Sequence, residues 1–408
     1  MEEIPITDAA LGELAPSPSR PRDSAVGAAP FFGGPTRRPG ERLEPLRVEV
    51  MRDLAAFDAL AAEWNALVMR VDDQLFYRHE FVRCWLTHFA PGSPLRVLAA
   101  RDHTGGLVAV LGLKEEQGHQ YGVPVRQLVS LTNKHSCRFD LLAEDPKRAA
   151  VAFLSHLLAD PHWDVLRLSD VPDGGAAWAM VNAAQGAGMP WGAWPSARSP
   201  YLVLPPTVEA WKKGRSNAKP LRRRRRRLEE KGRVEVERVS GQAELKDRLE
   251  EAFSLEQSGW KAQQGTAIAQ AEHRRGFYTS LAEMAAGHGW LGLYFLRLDS
   301  RPIAFQYGLQ YGGRYLAMKP GYDEALSEVS PGHLLTENLV QDCIERGLTE
   351  LDLLGDDAPY KREWTHQVRQ HHWLFIYRDT LVGKTLQRSK FRWAPVAKRM
   401  VGRWVRRR

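Results

Sequence analysis

The sequence predicts an α+β fold built from two tandem copies of one unit, each a mixed, mostly antiparallel sheet flanked by helices. Three observations lead there. Short apolar runs bounded by turn residues alternate with longer runs of helical periodicity, so strands and helices are interleaved. The order of these runs over residues 46–204 recurs over residues 234–377. The repeat also shows in the residues themselves: VLAARDHTGGLVAVLGL (Val97–Leu113) in the first copy faces FLRLDSRPIAFQYGL (Phe295–Leu309) in the second.

Residues 1–44 hold seven prolines and five glycines and lack apolar periodicity, which predicts a disordered tail. The first copy, placed at residues 45–206, opens with an expected strand at 47–51 and helices at 54–67 and 79–88. Two apolar runs follow at 95–101 and 107–114, joined by Asp102-His103-Thr104-Gly105-Gly106, which has the composition of a hairpin turn. Short strands are expected at 127–131 and 139–142, then a helix at 147–158, a strand at 165–168, a helix at 176–187 and a strand at 201–204. The second copy, placed at 234–378, repeats the order with a strand at 234–239, helices at 243–257 and 273–286, and strands at 291–298, 303–310 and 315–322. A loop at 323–331, a helix at 332–346 and strands at 350–354 and 372–377 complete it. Each copy therefore reads β-α-α-β-β-β-α-β.

Composition narrows the class. The chain has 408 residues, 43% hydrophobic and 26% charged, as expected of a globular protein of two to three domains. No apolar run reaches the roughly 18–20 residues that span a bilayer, and the acidic N-terminus does not resemble a secretory signal. These features predict a cytoplasmic protein. Cys84, Cys137 and Cys343 lie far apart without metal-ligand spacing, which predicts reduced thiols, and no His spacing supports a metal. Dinucleotide, P-loop and serine-hydrolase motifs are missing.

The net charge of +8 is unevenly spread. Residues 212–233 carry 12 basic and 2 acidic groups, residues 379–408 carry 10 and 1, and the rest nets −11. An acidic body with two basic segments points to two attachment surfaces for phosphate, nucleic acid or anionic lipid. The first segment, 207–233, contains Arg222–Arg227 and is expected to be an interdomain helix closed at Gly232. Its arginines either pair with carboxylates of the body or hold phosphates. In the second, Trp393, Val396, Met400 and Trp404 alternate with cations as in a basic amphipathic helix. Such a helix lies on an anionic membrane surface, here the inner face, or docks on the acidic body.

The element order resembles the GNAT acyltransferase fold, and the tandem pair resembles Fem-type peptidyltransferases. Three segments, EQSGWKAQQGTAI (Glu256–Ile268), KPGYDEALSEVSPGHLL (Lys319–Leu335) and LDLLGDDAPYKREW (Leu351–Trp364), are similar to blocks of the CelD/BioF2-like acetyltransferase family, which is associated with polysaccharide biosynthesis. The resemblance runs from about Leu46 to Tyr377. It implies acyl-CoA, acetyl-CoA in particular, as co-substrate, no metal, and as acceptor an amine or hydroxyl of a glycan precursor or small molecule. A Fem-like enzyme would instead draw on aminoacyl-tRNA, and a pair that has lost activity would be a membrane-associated module.

The resemblance also directs attention to particular residues. Ser330, Pro331, Gly332, His333 and Leu334 open a helix where GNAT folds hold pyrophosphate, and unpaired amides at a helix start favour phosphate in general. The arginine- or glutamine-led glycine pattern usual at this place is missing, and the alternative is a bare helix start. Lys361, after Tyr360, is similar to the Phe-Lys pair of Fem-type enzymes and would stabilise the oxyanion of acyl transfer, unless it is a lysine in a solvated turn. Asp352, opposite in facing to its leucine neighbours, is a candidate base or the partner of a facing arginine. Tyr322 and Tyr360 are candidate acids for the leaving thiolate, and Asp323 is a further candidate beside the phosphate loop. Trp260, Lys261 and Thr266 would cover the acceptor pocket with Trp364 at its edge, although Trp260 also suits a core anchor. The first copy lacks counterparts of Pro331-Gly332 and Lys361, which predicts a structural role for it.

Overall fold

The computed structural model describes residues 44–394 apart from 214, 216–217 and 258–270. The expected disordered tail, most of the amphipathic C-terminal segment, and Trp260, Lys261 and Thr266 lie outside the described residues.

The first half comprises β1 (Arg47–Met51), α1 (Leu54–Ala59), α2 (Ala61–Val71), α3 (His79–Phe89), β2 (Val97–Arg101), β3 (Leu107–Leu111), β4 (Leu113–Gln120), β5 (Val123–Ser130), β6 (Leu142–Ala143), α4 (Pro146–Ala159), β7 (Val165–Pro172), α5 (Trp178–Gly186) and β8 (Trp191–Val203). After α6 (Val208–Lys213) and α7 (Ala218–Glu229), the second half comprises β9 (Val234–Val239), α8 (Leu245–Gln257), α9 (Glu272–Gly287), β10 (Leu291–Leu298), β11 (Arg301–Tyr311), β12 (Arg314–Tyr322), α10 (Pro331–Glu345), β13 (Glu350–Asp352), α11 (Pro359–Arg362) and β14 (Val368–Tyr377). A further helix, α12, spans Leu381–Arg388.

Ten strands form one continuous sheet in the order β4-β5-β7-β14-β8-β13-β12-β11-β10-β9, and β1, β2, β3 and β6 form a separate four-stranded one. The centre of the large sheet is an exchange. β14, from the end of the second half, lies antiparallel to β7 of the first, while β8, from the end of the first half, lies antiparallel to β13 of the second. β8 and β14 also pair with each other along most of their length. On either side sits one parallel pair, β5 with β7 and β12 with β13. Each is joined through its helix, α4 or α10, as parallel strands require.

β12 and β13 pair only over Arg314–Leu316 and Glu350–Asp352. Past that point they part, and β12 runs on to Tyr322 with β11 on its other edge. The resulting notch in the sheet is capped by the N-terminus of α10, and it is where chemistry has room. Tight packing behind it depends on Gly308, where a Cβ would sit 2.1 Å from the Tyr315 hydroxyl.

Apolar packing fuses the halves as firmly as the sheet does. A single core joins Phe81, Trp85 and Leu86 of α3 to Phe277, Tyr278 and Leu281 of α9 and to Phe305 and Tyr307 of β11. Phe277 meets Phe89 at 4.8 Å and Phe81 at 6.1 Å between ring centroids. Each such ring, taken out of water, contributes roughly 1.5–3 kcal/mol.

Several elements depart from expectation: the helix expected over 207–233 is two, α6 and α7, the strand expected at 139–142 is only β6, and β14 starts four residues before the strand expected at 372–377. The helix expected at 54–67 breaks at Leu60, which caps α1 by donating its amide to Phe57 at 3.1 Å. β8 is thirteen residues rather than four, because Pro195, Ser196, Arg198 and Pro200 conceal its alternation. Pro195 is tolerated in a central strand since it falls at the register shift opposite His372. β4, LKEEQGHQ, escapes notice because it is a polar edge strand with no apolar run to reveal it.

A chain ending at residue 206 leaves β7 and β8 without the strand that belongs between them. Residues 45–206 expressed alone are expected to show no cooperative thermal transition, and co-expression with 207–408 to restore one. A cooperative melt of the isolated fragment would show that the exchange is dispensable.

Candidate active site

The notch is lined from both halves. At its floor Asp352, 0% exposed, accepts from Arg138 Nη2 at 2.6 Å and Arg369 Nη1 at 3.3 Å. The Leu354 amide also bonds it at 3.0 Å, and the Ser199 hydroxyl lies at 3.5 Å. Both oxygens are thus committed to cations and donors. The expectation of Asp352 as general base is corrected: it is the partner of facing arginines, sealed from any acceptor, and it ties β13 to the first half. Asp323 is likewise structural, since it accepts from the Ala325 amide at 3.0 Å and pairs with Arg301 at 2.9 Å.

Beyond Asp352 the backbone turns through two left-handed residues, Leu354 (φ 50°) and Gly355 (φ 56°). For leucine this conformation is strained, and strain of this kind persists where surrounding contacts impose it. It presents the Leu354 carbonyl to Lys361, whose Nζ donates to it and to the Asp356 carbonyl at 2.9 Å. Lys361 is 8% exposed, and burial lowers its pKa against the raising effect of Cys137 and Asp356. It is a fixed, buried amine, not a lysine in a solvated turn. Of the three protons of its ammonium form, two are held by carbonyls.

α11 then docks the notch against α10. The Trp364 amide donates to the Lys361 carbonyl at 3.0 Å, and the Trp364 ring stacks on His333 at 6.1 Å. Arg215 lies between two indoles, 4.0 Å from Trp211 and 5.3 Å from Trp364, and pairs with Glu337 of α10 at 2.7 Å. α7 lies along the same helix start: Leu221 and Leu228 are buried one heptad apart, and Arg225 reaches Glu337 at 3.7 Å. Arg224 is close enough to act, after burial and against Glu363, to lower the His333 pKa. Arg222, Arg223, Arg226 and Arg227 face outward.

The phosphate loop differs from expectation in one respect. The amides of His333 and Leu334 already donate to the Ser330 carbonyl, at 3.0 and 3.2 Å, because Ser330 is the N-cap in a left-handed conformation (φ 49°). Pro331 has no N–H, so of the expected cradle only the Gly332 amide is without a partner among the described residues. A Cβ at Gly332 would meet nothing nearer than the Tyr322 ring at 3.7 Å. Anion binding here therefore relies on the one amide, the helix dipole and the neighbouring arginines. The Tyr322 hydroxyl has no hydrogen-bond partner among the described residues, and Tyr360, 44% exposed, stands beside Lys361 Nζ at 5.8 Å from its ring centroid.

A model of the acetyltransferase (GNAT) domain matches residues 215–362. This part of the chain is a GNAT acetyltransferase domain. The match spans the notch, α10 and Lys361, and the enzyme class is that of an acyltransferase. A search of curated proteins finds no match. Among solved structures, FemX is similar at 10% identity and a TM-score of 0.52, over 83% of this chain and 100% of its own. A conserved protein of unknown function from Bacteroides thetaiotaomicron is similar at 12% and 0.52, over 81% and 100%. A tandem GNAT protein from the clavulanic acid biosynthesis pathway gives 12% and 0.47, over 82% and 100%. At these identities the likeness is one of fold: mixed α/β, with antiparallel-rich sheets and flanking helices.

Sequence reasoning missed several residues around the GNAT notch. Arg138 and Gln74 come from the first half, with Arg138 Nη1 donating to Gln74 at 2.7 Å. Arg215 was visible only as one charge in a basic run. Cys137 sits left-handed (φ 61°) beside Arg138, its thiol pushed up to about 11 by burial. His371 of β14 is 1% exposed and held down to about 4 by burial and Arg138. Of these, the positive-φ loop residues carry no sequence signal, since cysteine in a left-handed turn is set by tertiary contacts.

Arg138→Met leaves the buried Asp352 with one cation, and a buried pair broken on one side costs about 3–5 kcal/mol. Urea unfolding is expected to show a loss of that size, partly recovered in Arg138→Met/Asp352→Asn. A loss below about 1 kcal/mol would show that Arg369 alone satisfies the carboxylate.

Proposed function

We propose that this protein transfers an acyl group, acetyl in the first instance, from acyl-CoA to an amine or hydroxyl of a glycan precursor or small molecule. The observation that carries the reading is the convergence of a fixed buried ammonium, Lys361, with an arginine-flanked helix start at Gly332 across a notch between β12 and β13. The donor's phosphates rest against the Gly332 amide, Arg224 and the α10 dipole. Its thioester then reaches into the notch. The acceptor attacks the carbonyl carbon, negative charge collects on the carbonyl oxygen, and the remaining N–H of Lys361 stabilises it in a site shielded from water. As the carbonyl re-forms the C–S bond breaks, and Tyr322 or Tyr360 gives a proton to the leaving thiolate and takes in its place the proton released by the acceptor's amine or hydroxyl. The expected polysaccharide association bears on the acceptor, and peripheral attachment through the basic C-terminal segment would bring the enzyme to a membrane-assembled substrate.

Calorimetric titration with acetyl-CoA and CoA tests the donor directly. Binding is expected, and Gly332→Ala is expected to weaken it about tenfold without altering the thermal midpoint, because the methyl group has room in the fold but obstructs the ligand. No binding by the folded protein would remove CoA as donor. Lys361→Ala is expected to lower turnover about 100-fold with folding retained, as removal of an oxyanion donor does. Unchanged turnover would take Lys361 out of the mechanism.

One observation favours a second reading. Four outward arginines on α7 present more positive charge than a CoA needs, and they suit the backbone of an aminoacyl-tRNA donor. In that case binding falls steeply with salt, whereas CoA binding responds only mildly.

A further inference from the structure

The first half's part of the large sheet has two unlike faces. One is closed by α4 and α5, whose Phe153, Leu157 and Met180 share a core with Leu166 and Leu168 of β7 and Leu374 of β14. On the other, α12 and the residues after it cover only one end, where Leu386 and Phe391 pack on Val125, Val165, Phe375 and Tyr377. The rest of that face is polar and reaches solvent at Arg167 and at Trp373, which is 36% exposed.

Two β-bulges shape this stretch. Ser169 and Asp170 of β7 together oppose Trp373 of β14, and Ser196 and Ala197 of β8 together oppose His371. An extra residue of this kind re-aims the side chains around it. Asp170 takes a left-handed conformation (φ 57°), and its carboxylate accepts from Trp373 Nε1 at 3.1 Å. The indole is thereby fixed. Its cross-strand neighbour Trp194 is covered by Phe391 at 5.4 Å and by the Lys390 amine at 4.6 Å, whereas no ring or cation lies over Trp373 among the described residues.

Buried polar atoms without a hydrogen-bond partner collect along the same stretch. They are Gln127 Oε1 on β5, Arg167 Nε on β7, Ser196 Oγ on β8 and both ring nitrogens of His371 on β14. The Ala197 carbonyl near His371 accepts instead from Gln370 Nε2, at 3.2 Å. Such atoms are rare in a folded protein, and a group of them on one face calls for a ligand or ordered water. Their kinds are mixed: an amide oxygen accepts, a guanidinium N–H donates, and a hydroxyl and an imidazole each do both. An anion would be met by donors alone. A mixed set beside a fixed, uncovered indole fits a sugar, since each sugar hydroxyl both donates and accepts and the C–H face of the ring rests on an aromatic surface.

We propose that this face binds a neutral oligosaccharide and that the oligosaccharide is the acyl acceptor. Its naming as acceptor rests on the acyl-transfer reading above. The stretch crosses four neighbouring strands, β5-β7-β14-β8, a width of roughly 14 Å, which suits a short chain of sugars better than a single ring. Trp373, His371 and Arg369 are alternate residues of β14 and share one face, and Arg369 reaches Asp352 at the floor of the notch. From Trp373 to Arg369 is roughly 13 Å along the strand. A sugar stacked on Trp373 would therefore present the next one toward the notch from the side of the first half, while the donor enters beside α10. The deeper polar atoms are met through bridging water.

The test needs neither donor nor turnover, so its failure leaves the acyl-transfer reading standing, and a failure of CoA to bind leaves the test intact. Indole N–H signals of the full-length protein labelled at tryptophan, with that of Trp373 assigned by its loss in Trp373→Phe, are followed during titration with cellotetraose, with the tetramer of N-acetylglucosamine and with uridine. A saturable shift of the Trp373 signal with at least one tetrasaccharide is expected, and the one that binds more tightly identifies the sugar. In calorimetry with that sugar, Trp373→Ala is expected to weaken binding at least tenfold at an unchanged thermal midpoint. Arg167→Gln is expected to act in the same direction and serves should the first variant fail to fold. A Trp373 signal indifferent to both tetrasaccharides, a stronger response to uridine, or binding equally tight in the variants would overturn the proposal.

Discussion

The exchange of β8 and β14 at the centre of the ten-stranded sheet is the constraint on which the rest depends. Each half ends by giving its last strand to the other, so neither sheet is complete alone, and every side chain placed by those strands is held by both halves at once. Backbone ladders fix a register that one-residue slips would invert, which gives positional precision to groups that loops alone would leave loose. Asp352 illustrates the effect. It lies on β13, accepts from Arg138 of the first half and Arg369 of β14, and stands opposite Tyr201 of β8.

The notch follows from the same geometry. β12 and β13 are parallel neighbours that part after three residues, because the chain between them must rise over the sheet as α10 and return. A gap inside a sheet has backbone edges on its borders and a helix start at its mouth, so it offers donors and positive potential without dedicated side chains. The protein adds a buried amine and a row of arginines on α7. It uses fewer amides for this than a glycine-rich loop would, since Pro331 has no N–H and the next two helix-start donors are already engaged by Ser330.

The two copies have diverged in charge rather than in topology. At the place where the second half offers Gly332 and α10, the first half offers a braced loop carrying His135, Cys137 and Arg138. One of these residues, Arg138, secures the buried carboxylate, and another, His135, meets the Tyr278 hydroxyl of the second half. The core common to α3 and α9 brings this loop opposite Tyr278 and Lys319, so the seam belongs to neither copy.

By itself the sequence showed the repeat and most of the order of elements, because apolar periodicity and turn chemistry are local and are written wherever a strand or helix buries one face, and it pointed to Lys361 only through the resemblance of Tyr360-Lys361 to a Fem-type pair. It likewise showed two basic segments, since charge is additive along the chain. Only the tertiary structure decided what those residues face. Asp352 read equally well as a base or as an ion-pair partner until Arg138, 214 residues away, closed on it. β8 stayed hidden because prolines broke an alternation that its neighbours nonetheless satisfy. His135 carried no mark at all, for its burial and its contacts with Phe89 and Tyr278 come from other elements. Contacts of that range leave no period in the sequence, and it is the packing of the two halves across one sheet that creates them.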